Sequence, residues 1–284
     1  MSSHPSDTSS DDPGVFLTRD DGTRIFTRAW LPAGDPRAVL VIMHGFKAHS
    51  GQYQWVGEQL AARGHAVHAM DMRGHGRSSG DRYWVEQFTD YVDDLAAFVA
   101  SARARHPGRP VFLLGHSAGG VISCHYALDH GRELAGFICE SFAFRLPING
   151  FLRAVIRGLD HVAPHLNLIA LADKDFSRDP AVVAAMAADP LINHEPGPAH
   201  TGAVLLRADA ELLARMPEFT VPMLIIHGTA DKATLPVGSE TLQDRSGSAD
   251  KTLKLYDETF HDPLHDINKA QVLADIVAWM EARM

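Results

Sequence analysis

A serine set between glycines is the residue best suited to covalent chemistry in this 284-residue chain. Gly115-His116-Ser117-Ala118-Gly119 comes directly after the apolar run PVFLL and before a segment of helical character. At a strand-to-helix junction, small residues at 115 and 119 permit a tight turn that lifts Ser117 Oγ above a sheet. The amides and dipole of the following helix then face the same point. A serine hydroxyl needs a base, and the base needs a carboxylate to orient it. Many Asp and His residues follow Ser117, so position relative to strands narrows the choice. Asp231 follows VPMLIIHGTA and His261 follows TLKLYDETF. Each lies just past the carboxyl end of an expected strand, where open α/β sheets gather their sites. Ser117, Asp231 and His261 are read as nucleophile, acid and base.

Several neighbours compete for these roles. His265 lies four positions beyond His261 and would share a helical face with it, which makes it the alternative base. Asp257 and Glu258 compete with Asp231 but fall within the last loop before the histidine. Asp262 is adjacent to the base and can alter its field without orienting it. His227 follows a strand and precedes Gly228, which suggests a structural role. A third signal is His44-Gly45-Phe46, after the first central strand. A backbone N–H in that loop and one after the nucleophile would form an oxyanion hole, assigned to the amides of Phe46 and Ala118. His44 reads as a hydrogen-bonding organiser of the loop. The Phe46 side chain is open to two readings, wall of an acyl pocket or packed loop aromatic.

These residues need a scaffold that gathers them at one end of a sheet. AVLVIMH (38–44) is nearly continuously apolar, as expected of a strand buried on both faces. HAVHAMD, PVFLLG, LAGFICE, VPMLIIHG and TLKLYD read as further strands. Helices are expected from about Gly51 to Arg63, Asp90 to Arg105, Ser117 to His130 and Asn268 to Met280. Val15 to Leu31 reads as two short strands around the turn Asp20-Asp21-Gly22. The alternation predicts an α/β fold with a mostly parallel central sheet covered on both sides. The interval from Ser141 to Phe219 breaks this rhythm with repeated prolines and no obvious central strand, so a helical insertion over one edge of the sheet is expected. Within it Phe151, Leu152, Val155, Ile156, Leu159 and Val162 recur at helical spacing, with Arg153 and Arg157 toward another side. Ordinary packing against the main domain and contact with a lipid-like substrate or membrane surface both remain open for that segment.

The expected organisation is a disordered tail over 1–13, a core over 14–140, a helical cap over 141–219 and the rest of the core over 220–284. With 45% apolar residues the chain can fill a substantial core, which excludes disordered and fibrous classes. A formal charge of -9 without a basic face argues against nucleic acid as a partner. Cys124 and Cys139 sit in apolar segments and read as buried free thiols. The 17 histidines are dispersed, so no metal is expected and no cofactor is implied. The N-terminus has no basic start or apolar run, which makes the cytoplasm the default location, with peripheral membrane association as a variant.

The chain resembles the monoacylglycerol lipase and lysophospholipase branch of the α/β-hydrolase superfamily over most of residues 14 to 284. The blocks HGFKAHSGQY, DMRGHGRSSG, GHSAGG, FSRDPAVVAAMAADPL, HGTAD and YDETFHD carry the resemblance. It implies the α/β-hydrolase fold with a cap, and places nucleophile, acid and base on Ser117, Asp231 and His261. It puts the oxyanion amides on Phe46 and Ala118. The family often has a small residue where Phe46 stands, an acidic one where Ala48 stands, and a glycine near Thr259, so pocket shape and acyl-chain length are this chain's own. Asp71 to Gly76 reads as a structural loop of the family. The activity implied is hydrolysis of a carboxylic ester through an acyl-enzyme, with monoacylglycerols or related single-chain esters as substrates. A broader carboxylesterase or thioesterase is the alternative, peptide hydrolysis a lesser one, and a non-catalytic ligand-binding protein on the same fold the contrasting class. The partner expected is a small acyl ester, with transient contact to a membrane or lipid aggregate through the cap; no oligomeric state is implied.

Overall fold

The computed structural model describes residues 14–144 and 147–284. The expected tail over 1–13 lies outside the described residues. The chain opens with β1 (Val15–Thr18) and β2 (Arg24–Trp30), an antiparallel pair around the predicted turn. β3 (Ala38–Met43), α1 (Gln54–Ala61), β4 (His65–Met70), α2 (Phe88–Arg105), β5 (Val111–His116), α3 (Ala118–His130) and β6 (Gly136–Glu140) follow. Three helices come next, α4 (Gly150–Val162), α5 (Pro180–Ala188) and α6 (Ala199–Arg215), with a short antiparallel ribbon of β7 (Asn167–Ile169) and β8 (Gly197–Pro198). The chain then returns through β9 (Met223–Gly228), α7 (Pro236–Arg245), β10 (Lys251–Tyr256) and α8 (Lys269–Glu281).

Among the described residues the main sheet has eight strands, in the order β1-β2-β4-β3-β5-β6-β9-β10. From β4 through to β10 every pairing is parallel, and β2, antiparallel to both of its neighbours, runs against the rest. Each residue of β3, β4, β5, β6 and β9 is buried. That follows from two covered faces and explains why these strands are continuous apolar runs rather than alternating ones. Side chains on one face join Phe98, Val121, Leu212 and Phe219 in a core beneath α2, α3 and α6. Those on the other join Tyr53, Leu60, Leu273 and Trp279 beneath α1 and α8.

The loops after the strands are tied into a single platform. Asp71 accepts hydrogen bonds from the Ser50 and Arg77 amides at 2.7 and 2.8 Å. His44 Nε2 accepts from the Met72 amide at 2.9 Å, joining the loop after β3 to the loop after β4. Arg73 forks onto the buried Asp94 of α2, which also takes Arg19 of the N-terminal hairpin. These contacts give the 71–76 loop and His44 the organising roles expected of them.

The helical insertion between β6 and β9 departs from its expected placement. It meets the loops beyond the carboxyl ends of β3, β4 and β10, so it lies across the top of the sheet rather than over one edge. Lys47 pairs with Asp173 and donates to the Leu171 carbonyl, and His49 Nε2 lies 2.8 Å from Asp189. Tyr83 Oη donates to the Asn193 carbonyl at 2.6 Å. Arg178 reaches the buried Asp266 at 2.9 Å. α6 also packs against α2, α3 and α4. No described helix is long and apolar enough to cross a membrane.

Candidate active site

Ser117 occupies the turn between β5 and α3 with φ 54° and ψ -120°. A residue with a Cβ adopts such a backbone only under constraint, at a cost of about 1–3 kcal/mol. The glycines on either side remove the obstacle. A Cβ on Gly119 would come within 2.4 Å of the Met43 carbonyl, and one on Gly115 within 2.6 Å of the Gly119 carbonyl. The turn is fixed by the Ser117 amide donating to the Glu140 carbonyl at 2.9 Å. The hydroxyl therefore stands above the sheet, 5% exposed as a residue.

His261, in the loop after β10, lies with Nε2 3.0 Å from Ser117 Oγ. Its Nδ1 is 2.8 Å from Asp231 Oδ2. Asp231 is in the loop after β9, so three separate strand ends meet at one point. Burial would push the Asp231 carboxyl up, but the imidazoles of His261 and His227 hold it well below the ordinary carboxylate range. An ionised Asp231 requires the hydrogen on Nδ1 of His261, which leaves Nε2 to accept from the Ser117 hydroxyl. The other oxygen, Oδ1, accepts from the amides of Ala233 and Thr234 at 2.8 and 3.0 Å. Thr234 Oγ1 adds a hydrogen bond to Oδ2 at 2.9 Å.

The competing residues are engaged elsewhere. His265 Nδ1 meets Asp262 at 2.8 Å and Nε2 meets the Gln52 carbonyl at 2.8 Å, so both its nitrogens are taken. Burial opposes its charge, but Asp262 lifts the imidazole to about 9. Asp262 in turn is lowered to about 2, chiefly by His265 acting against burial. Glu140, behind this pair, is pushed well above the usual carboxylate range by burial and by Asp262. It accepts from the Leu264 amide at 3.0 Å. Asp257 and Glu258 are exposed, and Asp257 is bonded to Thr229. His227 lies closer to the chemistry than its sequence setting indicated, with Nε2 3.0 Å from Asp231 Oδ2.

The loop that carries His261 is braced by the insertion. The His261 and Asp262 amides donate to the carbonyls of Asp175 and Phe176 at 3.4 and 2.9 Å. The Phe176 ring meets the His261 ring edge-on, with centroids 5.1 Å apart. His116, next to the serine, lies 3.2 Å from the His261 carbonyl through Nε2. Burial lowers His116 to about 4, which keeps it neutral and donating.

Phe46 and Ala118 pack in one cluster beside Ser117, together with Tyr83, Ile169 and Leu205. A cavity of about 80 Å³ opens from Ser117 and His261 and is lined by Val121, Ile169, Leu171, Leu205 and Leu206 among others. An apolar chamber against a hydrogen-bonded serine suits an acyl group whose carbonyl is attacked at the chamber mouth. Cys124 and Cys139 are free and buried. Among the described residues no group of three His, Cys, Asp or Glu side chains is placed to hold a metal ion.

The family described as "Serine aminopeptidase, S33" matches residues 34–268. A monoacylglycerol lipase of Mycolicibacterium smegmatis is 34% identical over 265 residues, covering 93% of this chain and 95% of that protein. The monoglyceride lipase of Homo sapiens is 34% identical over 248 residues, covering 86% and 82%. The crystal structure of a Paleococcus ferrophilus monoacylglycerol lipase superposes with a TM-score of 0.82 at 26% identity, covering 92% of this chain and 99% of that one.

Proposed function

The chain belongs to the monoacylglycerol lipase and esterase family of the α/β-hydrolase superfamily, and from that premise we propose that it hydrolyses monoacylglycerols or related single-chain esters. In this reading Ser117 attacks the ester carbonyl while His261 takes its proton. Asp231 holds His261 in the required tautomer and stabilises the imidazolium. The amides of Phe46 and Ala118 receive the developing oxyanion, each contributing about 2.7–4 kcal/mol by comparison with known donors. His261 then protonates the leaving alcohol, and water cleaves the acyl-enzyme by the reverse proton route. The observation that carries the reading is the unbroken line from Ser117 Oγ through His261 to Asp231, at 3.0 and 2.8 Å.

The core is assigned to 14–140 and 220–284 and the cap to 141–219. Ile169, Leu171, Leu205 and Leu206 belong to that cap and supply much of the apolar lining. Phe151 and Val162 stand 78% and 79% exposed on α4, which suits transient contact with a membrane or lipid aggregate. Two buried free thiols fit a reducing compartment, so a cytoplasmic enzyme working at a lipid surface is the location proposed.

The test is turnover of a set of carboxylic esters, monoacylglycerols included, by the parent and by Ser117→Ala. The expected loss in the variant is at least ~10⁴-fold. Preference for synthetic or thioester substrates over every monoacylglycerol would replace the lipase reading with the broader esterase or thioesterase. Inactivity of the parent on every class would favour a binding protein.

A further inference from the structure

The chamber beside Ser117 is bounded by a partition of side chains. Phe46, Ile169 and Leu171 line it and also line a second cavity of about 30 Å³, where they meet Lys47, Tyr83 and Asn193. The Phe46 ring is clamped in place. Its centroid lies 4.4 Å from that of Tyr83 and 5.6 Å from that of His75. Tyr83 is itself tethered at both ends, through Oη to the Asn193 carbonyl at 2.6 Å and through its own carbonyl to Thr201 Oγ1 at 2.8 Å. On the far side the ring fills the space of an absent side chain: a Cβ on Gly197 would lie 2.5 Å from Phe46 Cζ. Asp209, 7% exposed on α6, adds a carboxyl group to the lining of the chamber, where a longer alkyl chain gains nothing.

We infer that Phe46, clamped between Tyr83 and Gly197, is the specificity-determining stop of the acyl chamber and restricts this enzyme to short and medium acyl chains. The inference rests on the ester-hydrolase reading above and deepens it. A chamber of about 80 Å³ has room for roughly five to eight waters, and a methylene takes about the volume of one. Chains of that order fill the chamber, and a hexadecanoyl chain has to extend beyond it. Removing the Phe46 ring joins the two cavities and opens a path between Ile169 and Leu171.

The experiment measures kcat/KM on p-nitrophenyl butanoate, octanoate and hexadecanoate for the parent, Phe46→Ala and Ile169→Ala. Using the ratio between esters cancels any loss from a disturbed oxyanion loop, which affects all three alike. The parent is expected to favour octanoate over hexadecanoate by ~10-fold or more. Phe46→Ala is expected to raise relative activity on hexadecanoate by ~10-fold or more, with Ile169→Ala moving the same way by less. A parent that prefers hexadecanoate, or two variants that keep the parent's profile, overturns the inference and leaves the hydrolase reading standing. A parent inactive on all three and on every other ester removes both.

Discussion

Asp231 carries a buried charge that two histidines share. His261 Nδ1 lies 2.8 Å and His227 Nε2 3.0 Å from the same oxygen. A lone pair on Nε2 facing a carboxylate at that distance would repel it, so His227 carries its hydrogen there, and Nδ1 accepts from Ser239 Oγ at 2.7 Å. His227 is fully buried and braces the Asp231 carboxylate alongside His261. A hydrogen bond to a charged group contributes about 1.5–3 kcal/mol. His227→Leu should therefore slow ester turnover by roughly 10–100-fold with little change in KM, and His227→Gln should recover much of the loss. Parent-like kcat in the leucine variant would show that the contact is idle. Ser117, His261 and Asp231 were legible as candidates because each follows a strand. The contact of His227 was not: four residues from Asp231 suggests proximity only within a helix, whereas here a turn closed by the Asp231 amide and the Gly228 carbonyl brings them together.

The loop that follows β10 holds His261 and also a buried ion pair whose pH dependence can be worked out. His265 titrates at about 9 in the folded protein against an ordinary 6.5, so its contribution is complete below pH 6.5 and lost as pH rises through about 9. Asp262 titrates at about 2 against 3.8, so its contribution is lost only as pH falls from 3.8 through about 2. Asp262→Asn should therefore destabilise most between pH 4 and 6.5. In urea unfolding, the gap between the variant and the parent should narrow as pH rises from 6.5 through about 9. A gap that stays constant from pH 6 to 10 would mean that the pair is not what stabilises this loop.

Legibility also varied from element to element. The buried strands announced themselves as apolar runs, and α2 as an amphipathic stripe. α6 did not, because it is packed on several sides: Thr201, Gly202, Ala203, Val204, Leu206 and Ala208 are all buried, which blurs any single stripe. α7 buries only Gly238, Ser239 and Leu242, too little apolar surface for a periodic signal. The β7–β8 ribbon is too short to show any pattern.

At the scale of the whole molecule, the insertion is both roof and outer surface. Ile156 on the inner side of α4 packs with Ala203 and Leu206, while Phe151, Leu152, Val162, Leu166 and Leu168 are exposed. The amphipathic segment thus packs through one residue row against α6 and presents another to solvent. Replacing Phe151 and Val162 together by serine should weaken co-sedimentation with phosphatidylcholine vesicles by several-fold and leave turnover of p-nitrophenyl butanoate in free solution unchanged. Equal vesicle binding by parent and variant would sink the membrane role. The family and the core were readable because blocks such as GHSAGG and HGTAD lie in order along the chain. The insertion's position over the strand ends depends on contacts such as Lys47 with Asp173 and Arg178 with Asp266, which join residues far apart in sequence and leave no local pattern.

Acylation of Ser117 is the step on which ester hydrolysis by this chain rests. An alkyl fluorophosphonate probes it, with the adduct located by mass spectrometry of the peptides. One adduct is expected, on Ser117, formed in step with loss of ester hydrolysis and absent from the Ser117→Ala variant. Hydrolysis that survives complete labelling of Ser117, or an inactivating adduct on another residue, would contradict it.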